Sequence, residues 1–410
     1  MQKITDLSHS ATPFLYGLSK SLERASYYGL RAVIVLYMIE GTLKMSREDA
    51  LSTYGAFTTA LLFTVILGGV LGDLALGNRR SIILGALLQA MGAFCCCIPS
   101  FEGLAAGLLL IVIGNGLYTP NLSANFGKQY LEKTKLLDAG FSILFMAINI
   151  GAFLGVVVLG RVGEYYGWNF AFILAGALMI LSIVPIMFAK EADVELEAPV
   201  KRGTSDRTVK ILLAALSVGL FWAIYDFSGE QVWELQAQFA DLHADEIPGY
   251  LWQSLNAAFT IPLTLLAAIV WSSFYSSQFS KLTTGFLFGA ASFALLMSIP
   301  VSPDETHTPF FLGAMLLFSI AETYIGPVVY SAITQYANPK YLAIIMSVAF
   351  LPSRFFTFAL GVLGLNGGEG LTNSFLWCGI AMGALGLGLL IYTSMSKPRY
   401  QDHTTLDSEI

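Results

Sequence analysis

Twelve apolar runs, each about as long as a membrane-crossing helix, follow one another along this chain. They lie near residues 11–39, 51–73, 79–99, 103–127, 139–160 and 168–189, then near 209–239, 248–275, 281–300, 308–336, 340–364 and 372–396. One span takes about 20 apolar residues, so little else can be built from such runs. Of 410 residues, 55% are apolar and only 12% charged, and the mean hydropathy is +0.67, far above an ordinary soluble domain. The fold class expected is an all-α membrane protein of twelve transmembrane helices.

The only long polar stretch inside the chain runs from Lys190 to Arg207. It divides the spans six and six: an N-terminal six-helix bundle over 1–189, a cytoplasmic linker over 190–208 and a C-terminal six-helix bundle over 209–410, the two bundles pseudo-symmetric. Lys and Arg mark the cytoplasmic side of a membrane protein. With the N-terminus inside, the inner loops hold most of them, among them Arg79, Arg80, Lys128, Lys133, Lys201, Arg202 and Lys281, and the outer loops hold only Lys44, Arg47 and Arg161. Both termini are therefore expected inside, in a bacterium at the inner membrane. The N-terminal segment does not read as a cleavable signal, so the first apolar run is kept as a span.

That first span carries Lys20, Glu23, Arg24 and Arg31. With Tyr27 they fall on one helical face. Charges at this depth need partners or a wet cavity, and usually mark a substrate or ion path. Acids occur in the second half: Asp226 and Glu230 in span 7 and Glu322 in span 10, with Arg354 in span 11. One cavity wall would thus be positive and the other negative, which suits a zwitterion with its carboxylate toward span 1. Trp222 and Asp226 share a face of span 7. Glycine and proline interrupt span 4 at Pro120 and span 10 at Pro327, matching positions of the two halves, as in repeat-built transporters. A carboxylate whose cation partner changes between states shifts its pKa, which is what proton coupling requires. Glu23, Asp226 and Glu322 are the candidates, and no histidine sits in a span core.

Other chemistries have little support. The cysteines Cys95, Cys96, Cys97 and Cys378 lack disulfide or metal spacing. There is no metal-ligand set, phosphate loop or Ser/His/Asp set, so neither an enzyme nor a cofactor is expected. No basic patch invites nucleic acid.

Gly69-Val-Leu-Gly-Asp73 followed by Gly77-Asn-Arg-Arg80 resembles the loop 2–3 signature of the major facilitator superfamily. Glu23-Arg-Ala-Ser-Tyr-Tyr-Gly29 with Arg31, Gly114-Asn-Gly-Leu-Tyr-Thr-Pro-Asn-Leu-Ser123, Asp138-Ala-Gly-Phe-Ser-Ile and Ala321-Glu-Thr-Tyr-Ile-Gly-Pro327 resemble the proton-dependent oligopeptide transporter (POT/PTR) family. The resemblance implies a twelve-helix bundle that imports di- and tripeptides with protons by alternating access, as a monomer in the bilayer. It implies that Arg31 binds the peptide carboxylate and Glu322 its amine, and that Tyr27, Asn149 and Trp222 line the pocket. Glu23 and Arg24 would serve proton coupling, with Lys20, Asp226, Glu230 and Arg354 in coupling or gating. Asp73, Arg79 and Arg80 would hold the cytoplasmic ends together.

Departures mark a divergent, short member of that family. Lys20 stands where the family signature opens on a glutamate, Thr119 where span 4 carries a lysine, and Ala349 where span 11 often has a tryptophan. Lys20 is expected to relocate the missing span-4 cation and to face Asp226. Proton-independent facilitation or export of another small organic ion, and ligand sensing without transport, are the alternative functions.

Overall fold

Where a membrane helix has glycine instead of a side chain, another helix can lie directly on its backbone, and this chain uses that device at its centre. The computed structural model describes residues 2–3, 8–41, 43–192, 204–246, 252, 255–349, 351–362 and 371–395. The first half comprises α1 (Thr12–Glu40), α2 (Arg47–Leu71) running on through a π-helical turn (Gly72–Leu76), α3 (Asn78–Cys95), α4 (Phe101–Lys128), α5 (Leu137–Tyr166), α6 (Trp168–Leu181) and α7 (Ile183–Phe188). The second comprises α8 (Thr204–Leu242), α9 (Leu255–Ser273), α10 (Gln278–Leu296), α11 (Thr308–Tyr336), α12 (Leu342–Val348), α13 (Leu351–Val362) and α14 (Leu371–Met395). A two-residue antiparallel ladder pairs β1 (Gln2–Lys3) with β2 (Phe274–Tyr275). Among the described residues, nine helical segments are long and apolar enough to cross a membrane, and α1, with its charges, is not one of them.

α1 lies against α5 over the pair Gly151 and Gly155, spaced four apart. A Cβ at Gly151 would sit 2.1 Å from the Ser21 carbonyl oxygen, and one at Gly155 2.1 Å from that of Ala25. Small residues at this spacing let helix backbones touch where lipid offers no hydrophobic drive to associate. α1 is further tied by the Ser19 hydroxyl, 2.6 Å from the Ser182 carbonyl oxygen between α6 and α7, and by Ser26, which donates to the Ala175 carbonyl at 2.7 Å.

Three expectations change. The interruptions expected at Pro120 and Pro327 are absent, since α4 and α11 run through both prolines. Pro120 lacks the N–H that would bond the Gly116 carbonyl. α2 closes over that oxygen instead, so tightly that a Cβ at Gly68 would lie 2.0 Å from it. α6 gives way to α7 at Ser182, within the expected sixth span, and Ala349, within the eleventh, lies in a turn after α12. Lys281, read as a loop cation, is buried at the start of α10 and paired with Asp138 of α5. Of the expected linker, residues 193–203 lie outside the described residues, and α8 already begins at Thr204.

The two halves meet at the end where α1 begins. Asp73, in the π-turn after α2, accepts from the backbone N–H of Ile344 at 2.9 Å. It thereby satisfies the exposed N-terminal donors of α12, where a negative charge is favoured. The buried Lys281–Asp138 pair joins α10 to α5, and Phe141 of α5 stacks on Tyr330 of α11 at 5.7 Å. His9 bridges the halves, with Nδ1 2.9 Å from the Tyr130 hydroxyl and Nε2 2.9 Å from the Ser272 hydroxyl. Ser272 gives its own proton to the Ala268 carbonyl, so Nε2 of His9 carries the proton it shares with Ser272, and in the neutral ring Nδ1 accepts from the Tyr130 hydroxyl.

Gly155→Ala is expected to force α1 off α5 and destabilise the detergent-solubilised protein by about 1–3 kcal/mol, read as a lower unfolding temperature. A second expectation concerns pH. Burial, and then the nearby Lys133 ammonium, hold His9 below its ordinary pKa. The closed end therefore favours neutral His9; its contribution is complete above the ordinary histidine value and is lost as pH falls through the lowered one. Nitroxides at Glu132 and Ser273 should move apart between about pH 7.5 and pH 5. The shift should vanish in His9→Gln; an unchanged shift there would exclude His9 as its cause.

Candidate functional site

The polar face of α1 is satisfied from within the helix and from two neighbouring helices, α4 and α2. Arg24 forms a two-pronged pair with Glu23, Nε to Oε2 at 2.6 Å and Nη2 to Oε1 at 2.5 Å. Lys20, one turn earlier, reaches the same carboxylate at 3.1 Å. Asn115 on α4 donates to Glu23 Oε1 at 3.2 Å. Thr119, one turn further along α4, accepts from Lys20 at 3.2 Å and from Arg24 at 3.3 Å. Glu23 is fully buried and Lys20 nearly so. One carboxylate thus serves two cations at membrane depth, where an unshared charge would be most costly. The ammonium of Lys20 also lies 5.2 Å from the Tyr118 ring centre, and Tyr118 is held by Ser19 at 2.7 Å.

Arg31 stands two turns beyond Arg24, about 10 Å along the helix. It donates through Nε at 2.8 Å and Nη2 at 2.5 Å to the Tyr54 hydroxyl of α2. The rings of Tyr27, Tyr28 and Tyr54 surround its guanidinium at 5.5–5.7 Å. Among the described residues Arg31 makes no ion pair.

These groups face a cavity of about 570 Å³ between the halves. Arg24, Tyr27 and Arg31 line one wall, with Thr58 of α2 and Thr119 of α4; Trp222 and Asp226 of α8 line the other, with Tyr330 and Ser347. A second, smaller cavity of about 80 Å³ lies beside it, lined by Lys20, Arg24, Thr119, Ser123, Pro327 and Tyr330 among others. The cations Arg24 and Arg31 lie on one wall and the acid Asp226 on the other. Among the described residues no three His, Cys, Asp or Glu side chains gather as metal ligands would.

The remaining expected residues are spread around this centre. Lys20 pairs with Glu23 on its own helix and lines the small cavity, whereas Asp226, the partner expected for it, lines the large one. Glu322 is buried and accepts from Asn256 of α9 at 3.0 Å. Asn149 turns its amide onto the Phe145 carbonyl of its own helix at 2.9 Å. Glu230 is exposed. The side chain of Arg354 lies outside the described residues. Of the loop 2–3 residues, Asp73 reaches across to α12, Arg79 donates to Met187 within the first half at 2.9 Å, and Arg80 is exposed.

Asn115, Tyr54, Asn256 and Lys128 escaped the sequence reading of the site. Lys128 donates to Asn78 at 2.6 Å, and Asn78 bonds Asp73 at 3.0 Å and Asn121 at 2.7 Å, which ties the loop 2–3 acid to α4. A signal existed for several of them. Tyr54 and Thr58, Asn115 and Thr119, and Asn256 and Thr260 are each polar pairs one turn apart inside an apolar run, so each pair marks a face turned from lipid.

The sequence profile of the Major Facilitator Superfamily matches residues 17–403. The chain belongs to the major facilitator superfamily. Within it, the chain is similar to a peptide transporter of Yersinia enterocolitica, YePEPT, at 25% identity over 85% of this chain and 86% of that protein. It is also similar to a dipeptide and tripeptide permease A of Pectobacterium carotovorum, at 34% identity over 41% of this chain and 34% of that protein. Among solved structures, a POT family transporter in complex with 5-aminolevulinic acid superposes with a TM-score of 0.66 at 20% identity, over 96% of this chain and 98% of that one. A peptide transporter POT in complex with sulfate gives 0.62 at 23% identity, over 96% of each chain. At those identities the likeness is one of fold. The resemblance to the peptide-transporter family thus finds its counterpart in curated relatives. The chain is a multi-pass membrane protein whose relatives are transporters and not enzymes.

The shared carboxylate yields a prediction. Glu23→Gln leaves Lys20 and Arg24 as buried like charges and should cost about 3–5 kcal/mol of stability. Lys20→Met keeps the Arg24–Glu23 pair and should cost far less. Thermal unfolding in detergent compares the two, and equal losses would show that the second cation is as necessary as the acid.

Proposed function

We propose that this chain is a secondary transporter that carries di- and tripeptides, or related zwitterions, inward together with protons by alternating access. The observation that carries this reading is the cavity itself, with Arg24, Tyr27 and Arg31 on one wall facing Trp222 and Asp226 on the other. Arg31 binds the ligand's carboxylate, and its freedom from any described ion pair supports that role. Glu322, held by Asn256, receives the amine, and Asn149 the peptide backbone, in a later state in which the halves come together around the ligand. Named relatives that are peptide transporters support the substrate class.

In this reading the chain has twelve spans in two pseudo-symmetric bundles, 1–189 and 209–410, and the excess of Lys and Arg in alternate loops supports both termini in the cytoplasm of a bacterium, with the chain, as a monomer, in the inner membrane. The end closed by Asp73, by Lys281–Asp138 and by His9 is then the cytoplasmic end, and the cavity beyond it opens outward. Binding that draws the walls together favours the opposite closure, since a ligand shifts an equilibrium by its differential affinity. Lys20, Glu23 and Arg24 form the proton-coupling unit, with Lys20 reaching the Thr119 position. Asp226, Glu230 and Arg354 act at the gate. Pro120 and Pro327 are the bending points of α4 and α11.

Uptake of L-Ala-L-Ala by the purified protein in liposomes tests this. Accumulation above the external concentration is expected only with an inward proton gradient, and Arg31→Ala should lower uptake at least tenfold, about the value of one charged hydrogen bond. Equilibration without accumulation would assign a facilitator, and binding without flux a sensor.

A further inference from the structure

We infer that Tyr54 is a positioning residue for Arg31: its hydroxyl holds one edge of the guanidinium and so decides which edge meets the ligand's carboxylate. This rests on the reading that Arg31 binds that carboxylate. Tyr54 sits on α2, half-buried, one turn before Thr58, which lines the large cavity. Tyr54 is not among the described residues lining it. It stands behind Arg31 and reaches the ligand only through it.

The geometry gives the hydroxyl this part. A single oxygen accepts from both Nε and Nη2 of Arg31, at 2.8 and 2.5 Å. Two bonds from one edge of a planar fork to one point fix which edge faces that point, and the ring faces limit the turn of the plane about it. The ring of Tyr54 lies 5.5 Å from the guanidinium carbon, with Tyr27 and Tyr28 at 5.6 and 5.7 Å. The rings hold the cation in place by their faces, but a ring face does not choose an orientation within its plane. Only the hydroxyl does. With the Nε/Nη2 edge given to Tyr54, the opposite Nη1 edge is the one left to turn into the cavity.

Arg31 also differs from its neighbour in what holds it. Arg24 is fixed by a buried carboxylate, so its charge is already shared. Tyr54 holds Arg31 without neutralising it, because a phenol hydroxyl takes hydrogen bonds and carries no charge. An acid at position 54 would orient the guanidinium equally well and remove its attraction for a carboxylate. A neutral acceptor is what a carboxylate-binding arginine needs behind it. Thr58 bonds the Tyr54 carbonyl at 3.1 Å, joining the cavity wall to this support.

The test compares L-Ala-L-Ala with its C-terminal amide, which has nearly the same shape but lacks the negative charge. Binding to the detergent-solubilised protein is measured for the native chain, Tyr54→Phe and Arg31→Ala. The native chain should favour the free acid, and Arg31→Ala should abolish that preference. Tyr54→Phe keeps the ring and loses the hydroxyl. It should bind the free acid about tenfold more weakly, the worth of a charged hydrogen bond, and the amide as the native chain does. A general structural defect would weaken both ligands alike and would overturn the inference. If the native chain prefers the acid and Tyr54→Phe keeps that preference, Tyr54 has no such role while the reading of Arg31 stands. If the native chain shows no preference, or binds neither ligand, the Arg31 reading fails and the inference with it.

Discussion

Glu23 is the hinge of the electrostatics in this protein. A helix crossing lipid cannot hold Lys20, Arg24 and Arg31 on one face unless most of that charge is shared or solvated. Glu23 shares itself between the first two, and Asn115 and Thr119 from α4 complete their hydrogen bonds. The third cation is left for the cavity. What surrounds α1 follows from this division: α5 presses on its back through glycines, α4 supplies polar groups to one flank, and α2 supplies Tyr54 to the other.

Two acids therefore do different work. Glu23 is enclosed by partners on its own helix and on α4, so its charge is tied to the pairing of Lys20 and Arg24. Asp73 lies at a helix end and serves as a cap for α12, which joins the first half to the second. Asp138, paired with Lys281, belongs with Asp73. One set of charges sits midway along α1, and the other lies near the end where α1 begins. The cavity of about 570 Å³ lies between the two sets.

The helical fold was legible because lipid allows few alternatives to the helix, and twelve apolar runs say so by length alone. The charged face of α1 was legible for the same reason, since period and cost agree on Lys20, Glu23, Arg24 and Arg31. The prolines misled. Pro120 removes a hydrogen bond, which sequence reads as an interruption, but α2 packs over the freed carbonyl at Gly68 and the helix goes on. Lys281 misled in the opposite direction. A lysine at the start of an apolar run reads as a loop cation, and only Asp138, 143 positions away in sequence, makes its burial possible.

By itself the sequence determined that the chain would be a bundle of membrane helices with a charged inner face, because hydropathy and helical period are local properties. It determined which residue types were available on that face, and it marked Lys20 and Thr119 as departures from the family pattern. Only the tertiary structure decided the partners: Lys20 with Glu23 and Thr119, Arg31 with Tyr54, Glu322 with Asn256, and Asp226 on the cavity wall. A carboxylate near a cation is held or released by distances of a few ångströms. Those distances are set by how closely glycine lets two helices approach, which no single helix can specify.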